Sequence, residues 1–495
     1  MRGVDLMRHC ASISDMSARA AWQALSDMEI AGITADSRQV APGDLFVALP
    51  GHRVDGRRFI ADAVARGAVA ILAPTGTAWP DGVPRRPMIV DIEPRRSLAQ
   101  LAAVFAGPQP EQVVAVTGTN GKTSTVEFLR QLSALCGMRA ASLGTLGLIA
   151  EGFDPGPGLT TPDPVSLAES LAGLARAGIR RVALEASSHG LDQFRLDGVT
   201  LAAGAFTNLT RDHLDYHGTI EAYRQAKLRL FRELLPQGSP AIVHAGVDAD
   251  TLAALRAVAR ARGLDLRLVG EGGDFYRLLQ ATPRPDGQIL TIEAHGTRRD
   301  IALPLPGRFQ ADNVLVAAAL AETMGDSDPL SLLPRLTGVR GRMERAAILP
   351  NGATVYVDYA HTPDALERLL LALRPHTEGR LLVVFGAGGD RDRGKRPLMG
   401  AAAIRLADIA IVTDDNPRSE DPATIRAAIR AACPDALEIG DRTHAIEAAL
   451  SMLRPGDVLA VAGKGHEQGQ IIGDTVIPFD DAGVVRALVD GKGAA

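Results

Sequence analysis

Val113-Val114-Ala115-Val116-Thr117-Gly118-Thr119-Asn120-Gly121-Lys122-Thr123-Ser124 is the stretch from which the rest of the chain can be read. The β-branched run Val113, Val114 and Val116 predicts a short buried strand. It breaks at Gly118 and Gly121, and apolar residues then recur at helical spacing at Val126, Phe128, Leu129 and Leu132. Strand, glycine-rich loop and helix is the setting a phosphate-binding loop requires. Unpaired N–H groups of the loop and first helical turn can cradle phosphate oxygens. Lys122 is expected to reach the outer phosphates and the Thr123 hydroxyl to face Mg²⁺. The usual loop has a glycine five residues before its second one; here that position is Val116 and the glycine is Gly118, so the loop is a shortened variant. The simpler alternative is a glycine-rich turn with a surface lysine.

Around this stretch, 495 residues exceed one hydrophobic core and predict about three domains. Hydrophobic residues at 46% and charged residues at 22% are those of a globular protein, and a net charge of −5 offers no basic field for nucleic acid or an anionic membrane. Cys10, Cys136 and Cys433 lie far apart, which excludes a Cys-x-x-Cys zinc site and suggests no disulfide framework. No signal peptide or membrane-spanning run is read, so the expectation is a cytoplasmic, multidomain α/β enzyme.

Before the loop, a helix is expected over Ala18 to Met28, and Leu45 to Leu49 reads as a buried strand after the turn Pro42-Gly43-Asp44. A helix over Phe59 to Ala65, a strand over Ala68 to Leu72 and a helix over Ser97 to Phe105 follow, then a linker at Gly107-Pro108-Gln109-Pro110. After the loop, two strand-like runs end in polar clusters, Glu185-Ala186-Ser187-Ser188-His189 and Thr207-Asn208-Leu209-Thr210-Arg211-Asp212-His213. Open α/β sheets bind ligands beyond the carboxyl ends of their strands, which makes these clusters candidates.

The helix after Gly218 is expected to carry Ile220, Tyr223, Leu230, Phe231 and Leu234 on one face, with Lys227 on the same stripe. A lysine there can lay its stem on apolar surface and lift its ammonium into water. The alternative is a lysine whose pKa is depressed by burial. A neutral amine of that kind can take up CO₂ as a carbamate, an anionic oxygen ligand for Mg²⁺.

From about residue 341, four strands each lead into a polar loop: Asp358-Tyr359-Ala360-His361, Gly386 to Arg393, Asp414-Asp415-Asn416-Pro417-Arg418 and Gly463-Lys464-Gly465-His466-Glu467. In a parallel sheet all four loops gather on one edge. Their mixed charge suits a zwitterionic ligand. Gly386, Gly388 and Gly389 do not complete Gly-x-Gly-x-x-Gly, so a dinucleotide site has little support.

Thr-Gly-Thr-Asn-Gly-Lys-Thr, Glu-Ala-Ser-Ser-His-Gly-Leu, Thr-Asn-Leu-Thr-Arg-Asp-His-Leu-Asp-Tyr-His-Gly, Asp-Tyr-Ala-His-Thr-Pro-Asp and Gly-Lys-Gly-His-Glu occur here in one order. In that order they resemble the Mur ligase family, and within it the members that add meso-diaminopimelate to UDP-N-acetylmuramoyl-L-alanyl-D-glutamate. The resemblance implies an α/β chain of three domains: a UDP-binding domain over 1–107, a central P-loop ATPase over 108–340 and a Rossmann-like amino-acid-binding domain over 341–495. It implies ATP, Mg²⁺ and a CO₂-derived carbamate on Lys227, small-molecule substrates and a monomer, with neither nucleic acid nor membrane insertion.

For ATP the matching positions are Gly118, Thr119, Asn120, Gly121, Lys122, Thr123 and Ser124, with Asn313, Arg342 and Asp358 for adenosine. Thr123, Glu185, His213 and carbamylated Lys227 would hold metal, and Lys122, Lys227, His213 and Glu185 would serve catalysis. The UDP-sugar dipeptide would meet Ser37, His52, Arg53, Val54, Thr160, Thr161, Ser187, Gln193 and Arg195. meso-Diaminopimelate would meet Arg391, Asp415, Asn416, Pro417, Arg418, Gly463 and Glu467. Arg418 is expected to grip the far carboxylate with its planar fork; the other reading pairs it with Glu420 or Asp421 on the surface. Folylpolyglutamate synthetase, a P-loop switch ATPase and a Rossmann oxidoreductase are the rival readings.

Overall fold

The computed structural model describes residues 28–491 apart from 52, 53, 155 and 157. The helix expected from Ala18, but for Met28, and the candidates His52 and Arg53 lie outside the described residues. The described residues form two compact units, one within 1–267 with 320–326 and the other within 268–319 with 327–495.

The first unit opens with a parallel sheet of β1 (Ile33–Thr34), β2 (Leu45–Val47), β3 (Ala70–Pro74) and β4 (Met88–Asp91), paired in that order. Successive side chains of a strand face opposite ways. Leu45 and Val47 therefore pack with Leu98 and Leu101 of helix α2 (Pro94–Ala106), while Phe46 packs with Ile60 and Val64 of α1 (Ile60–Ala65). Burial on both faces is why Leu45 to Val47 reads as an unbroken apolar run. α2 begins three residues before the expected Ser97 because Pro94 suits the first helical turn, where no N–H is needed.

Next in this unit come β5 (Gln112–Thr117), α3 (Lys122–Leu135), β6 (Ala140–Gly144), β7 (Gly147–Ile149), α4 (Pro164–Arg176), β8 (Arg181–Glu185), α5 (Ser188–Asp192), β9 (Leu201–Phe206), α6 (Leu214–His217), α7 (Ile220–Arg229) and β10 (Pro240–His244). The strands run in the order β10-β9-β5-β8-β6-β7, all parallel except the β7 edge. β5 is central, with β8 and β9 on either side, so the P-loop and both polar clusters leave one edge of the sheet side by side. The Arg181 guanidinium, 1% exposed, meets Asp326 and donates to Gln112 Oε1 at 2.8 Å, fixing the amino end of β8.

One stripe differs from expectation. Ile220, in the first turn of α7, is 39% exposed rather than in the core. Residues Leu230–Leu234 form a π turn, which adds a residue to the helical turn and shifts the apolar face, so Leu235 is fully buried while Leu234 is only half-buried.

The second unit contains an antiparallel meander of strands Tyr276–Arg284, Gly287–Ala294 and Thr297–Leu303. Its larger sheet has the order Glu344–Ile348, Thr354–Asp358, Val458–Ala462, Leu381–Phe385, Ile409–Val412 and Leu437–Glu438. All its pairings are parallel except the first. The four expected strand-and-loop units are its four central strands, and their loops share one edge. A small hairpin, Gly469–Ile472 with Thr475–Pro478, follows the last loop. Among the described residues, no helix is long and apolar enough to cross a membrane.

Candidate active site

The P-loop is strapped to the carboxyl end of β9. Thr119 N–H donates to the Asn208 carbonyl at 2.9 Å, Asn120 N–H to Asn208 Oδ1 at 2.9 Å, and Thr207 Oγ1 to the Asn120 carbonyl at 2.6 Å. Gly118 has φ +147° and lies so close that a Cβ there would stand 1.9 Å from Thr207 Oγ1. Gly121, φ +84°, caps α3, whose first residues are Lys122, Thr123 and Ser124. Lys122 Nζ donates to the carbonyls of Gly118 at 3.0 Å and Thr119 at 2.8 Å.

Thr123 and Glu185, 62 residues apart in sequence, meet with Thr123 Oγ1 donating to Glu185 Oε1 at 2.9 Å. The same carboxylate accepts the Thr145 N–H at 2.7 Å and the Thr145 hydroxyl at 3.3 Å. A hydroxyl and a carboxylate beside a phosphate-binding loop are the hard oxygen donors Mg²⁺ takes, together with phosphate and water. Among the described residues no three His, Cys, Asp or Glu side chains cluster as a metal cage, and a phosphate-borne Mg²⁺ does not need one.

Lys227 is 1% exposed, so its ammonium does not reach water as the snorkelling reading requires. Its Nζ donates to the Gly118 carbonyl at 2.7 Å and stands 4.4 Å from the Tyr223 ring centroid. Burial, reinforced by the charge of Lys122, holds its pKa well below the usual lysine range. Tyr223 joins these parts. Burial pushes its phenol up to about 12, so it stays protonated and donates to Thr119 Oγ1 at 3.2 Å, while the His213 ring lies 6.2 Å away. His213 itself is half-exposed in a left-handed backbone, φ +52°, at the start of α6.

Most of the candidates for the nucleotide-sugar peptide come together. Thr161 Oγ1 donates to the Glu185 carbonyl at 2.8 Å and accepts the Ser187 N–H at 3.0 Å. Thr160 and Thr145 hydroxyls are 3.1 Å apart. Arg195 donates to the Thr161 carbonyl at 2.6 Å and to Gln193 Oε1 at 2.8 Å, and burial lowers its pKa. A cavity of about 350 Å³ opens beside Gln193, Phe194 and Tyr216, with Pro50, Glu93 and Arg95 opposite. Ser37 opens the 3₁₀ turn Ser37–Gln39 after β1 and Val54, 52% exposed, lies on the stretch after β2; neither enters this hydrogen-bonded group.

In the second unit, Asn313 is 5% exposed and donates to Gln310 Oε1 at 3.4 Å. The Arg342 guanidinium lies 4.9 Å from the Tyr359 ring centroid. Both oxygens of Asp358 are engaged locally, by the N–H groups of Met343 at 2.7 Å and Ala360 at 2.8 Å, and burial raises its pKa. Asp358 and Gly463 are joined through the backbone at 3.1 Å.

The Asp415-Asn416-Pro417-Arg418 loop is buried up to Pro417. Asn416 donates to Glu467 at 2.9 Å, and Lys464 Nζ, fully buried, donates to Asn416 Oδ1 at 2.9 Å. Arg418 adopts φ +53°. It exchanges backbone bonds with Ile471 at 3.0 Å and Gly473 at 2.8 Å of the small hairpin, so that hairpin, as well as Pro417, fixes its direction. Its guanidinium donates to the Gly389 carbonyl at 2.8 Å; a Cβ at Gly389 would stand 1.9 Å from the Pro417 carbonyl oxygen. Glu420 is engaged by Arg396 and Arg393, and Asp421 caps the following helix. Among the described residues Arg418 therefore forms no carboxylate pair, unlike the surface alternative. Arg391 is solvent-exposed on the neighbouring loop.

Sequence reasoning assigned no role to Thr145, Asn208, Tyr223 or Lys464. Thr145 and Asn208 follow the carboxyl ends of β6 and β9, where polar residues are suspect. Lys464 follows the carboxyl end of the strand Val458–Ala462 in the same way; Tyr223 carries no such signal, because helical periodicity reads it as packing.

Three family profiles cover the chain: the Mur ligase family catalytic domain at residues 29–106, the Mur ligase middle domain at 116–321 and the Mur ligase glutamate ligase domain at 341–465. A UDP-N-acetylmuramoyl-L-alanyl-D-glutamate–2,6-diaminopimelate ligase of Caulobacter vibrioides is 55% identical over 95% of this chain and 97% of its own length. The ligase of the same name from Rhizobium meliloti is 53% identical over 94% and 95%. A solved structure of a ligase with that name superposes with a TM-score of 0.73 at 32% identity, covering 99% of both chains. The MurF ligase of Thermotoga maritima, at 20% identity and TM-score 0.59 over 93% of this chain and 98% of its own, shares the fold. The shortened P-loop strapped to β9, the Thr123–Glu185 contact and full-length identity above one half all lead to one assignment: the chain belongs to the Mur ligase family.

Proposed function

We propose that this chain is an ATP-dependent ligase that joins meso-diaminopimelate to UDP-N-acetylmuramoyl-L-alanyl-D-glutamate during peptidoglycan precursor synthesis, acting as a cytoplasmic monomer on small molecules. What carries the reading is 55% identity along 95% of the chain to a relative bearing that name. The domains at 1–107, 108–340 and 341–495 would then bind the UDP-sugar, ATP and the amino acid.

A carboxylate resists attack by an amine because of its charge and resonance. Transfer of the γ-phosphoryl group of ATP to the glutamate γ-carboxylate gives an acyl phosphate and ADP. The unprotonated amine of diaminopimelate then adds to the carbonyl carbon, and the tetrahedral intermediate expels phosphate and loses a proton. Carboxylate and triphosphate repel, so cations must screen them. Lys122 would supply one fixed charge, with the N–H groups from Gly118 to Ser124 around the phosphates. Bound Mg²⁺ would supply the remaining charge neutralisation, held by Thr123 and Glu185 with His213. The buried amine of Lys227, whose pKa burial holds well below the usual lysine range, suits carbamate formation, which would place an anionic oxygen donor beside the P-loop. Gln193, Arg195, Thr160, Thr161 and Ser187 would orient the peptide end of the UDP-substrate, with Ser37, His52, Arg53 and Val54 towards its nucleotide. Asn313, Arg342 and Asp358 would take the adenosine. Arg418 would grip the far carboxylate of diaminopimelate, Glu467 would face its ammonium, and Arg391, Asp415, Asn416, Pro417 and Gly463 would frame the rest.

The test is ligation itself. The purified chain with UDP-muramoyl dipeptide, ATP, Mg²⁺ and meso-diaminopimelate should release ADP, phosphate and the UDP-muramoyl tripeptide in equal amounts. ATP turnover with no amino-acid acceptor consumed would overturn the reading.

A further inference from the structure

Helix α5 ends in a Schellman turn: Arg195 N–H donates to the Gly190 carbonyl at 2.9 Å and Phe194 N–H to the Leu191 carbonyl at 3.2 Å. The residue in the left-handed position of such a turn is usually glycine. Here it is Phe194, φ +58°, and an aromatic residue persists there only if its surroundings over-determine it. They do. The Arg229 guanidinium carbon lies 4.2 Å from the ring centroid and that of Arg96 lies 4.8 Å from it. Two cations on one ring would repel, but Asp197 and Glu233 tie them: Asp197 accepts a hydrogen bond from Arg229 at 2.5 Å and pairs as an ion with Arg96 at 3.0 Å, and Glu233 accepts one from Arg96 at 2.8 Å and pairs as an ion with Arg229 at 3.0 Å. Arg229 also donates to the Leu191 carbonyl at 2.7 Å, inside the same turn.

The three partners come from three places that the ligation needs. Arg96 belongs to α2 of the first sheet, next to Arg95 in the cavity wall. Phe194 lies between Gln193 and Arg195. Arg229 is two residues beyond Lys227 on α7. We propose that Phe194 is a positioning residue for the UDP-muramoyl substrate: its ring, held by Arg96 and Arg229, sets Gln193 and Arg195 at the cavity and keeps them in register with α2 and α7. This rests on the function proposed above. The ring does not touch the reacting atoms; it acts through its neighbours.

Phe194→Gly keeps the residue type the turn prefers but removes the ring, so the fold is retained. The expected result is a KM for UDP-muramoyl dipeptide raised 10- to 100-fold, with the KM values for ATP and meso-diaminopimelate within about threefold of the parent. Phe194→Tyr, which restores a ring that arginine can face, should recover most of that KM. Arg96→Met, which keeps the stem and loses the charge, provides a second, independent route and should raise the same KM alone. If the parent enzyme ligates but Phe194→Gly and Arg96→Met leave that KM unchanged, or raise all three together, the positioning role is wrong. If the parent enzyme does not ligate at all, it is the proposed function that fails.

Discussion

Lys227 combines three properties that a surface lysine does not have: near-complete burial, a cationic neighbour in Lys122, and a carbonyl of the P-loop as its acceptor. Each disfavours the protonated form or fixes the amine in place. If the amine carries a carbamate, Lys227→Ala should lose at least a thousandfold in kcat, and added acetate or formate should return a measurable part by placing a carboxylate in the gap. Absence of rescue at any carboxylate concentration, in a variant that still binds ATP, would count against the carbamate. His466 gives a pH signature of another kind. Burial, then the charges of Arg342 and Arg340, push its pKa down from 6.5 to about 4. Between those values the unfolded chain holds a proton that the native chain does not, so stability falls as pH drops from 6.5 towards 4 and levels off below. His466→Gln should flatten that part of the profile, seen as a smaller loss of Tm between pH 7 and pH 4.5 than in the parent protein.

Among the elements, the tightest dependence is that of the P-loop on β9. Gly118 has no room for a methyl group, and the atom in the way, Thr207 Oγ1, is itself the strap to Asn120. Gly118→Ala should cost about 2 kcal/mol or more of stability by crowding and backbone strain and weaken ATP binding by at least a hundredfold. Because the two sites touch, adding Thr207→Ala should cost less than the sum of the two changes; strict additivity in urea unfolding would show that the clash is not the cause.

The same elements show what a sequence can reveal. Runs such as Val113 to Val116 and Leu381 to Phe385 announce buried parallel strands, because both faces are apolar. The rule that ligands gather at strand carboxyl ends then singles out Glu185, His213 and Asn416. It has no access to pairings made by folding, such as Thr123 with Glu185, nor to the hairpin that holds Arg418. Leu234 departs from the expected face because periodicity assumes a uniform helix, and the π turn after Arg229 breaks that assumption. Phe194 carried no signal at all: a phenylalanine in a glycine position is intelligible only once Arg96 and Arg229 are seen on its ring.

Across the whole molecule, the proposed function places activation and selection in different compact units. Lys122, Thr123, Glu185 and Lys227 belong to the first, Asn416, Arg418 and Glu467 to the second. Substitutions in the two units should therefore fail in different ways. Lys122→Ala should abolish both acyl-phosphate formation, followed by exchange of label between phosphate oxygens and ATP, and ligation. Arg418→Ala should leave acyl-phosphate formation within a fewfold of the parent, because no residue of that chemistry changes. What it should lose is the choice of amino acid. meso-Diaminopimelate differs from L-lysine by one carboxylate, and the Arg418 guanidinium, which among the described residues forms no carboxylate pair and donates to the Gly389 carbonyl, would be available for it. A site built around a polar group rejects an analogue lacking its partner by roughly 10⁴–10⁵. The parent enzyme should thus prefer meso-diaminopimelate over L-lysine by several orders of magnitude in kcat/KM, and Arg418→Ala should bring the two within about tenfold. Arg418→Lys should not restore the preference, since an ammonium cannot offer the planar fork. Comparable kcat/KM for the two amino acids in the parent enzyme would remove Arg418 as the selecting residue while leaving the activation chemistry of the first unit untouched.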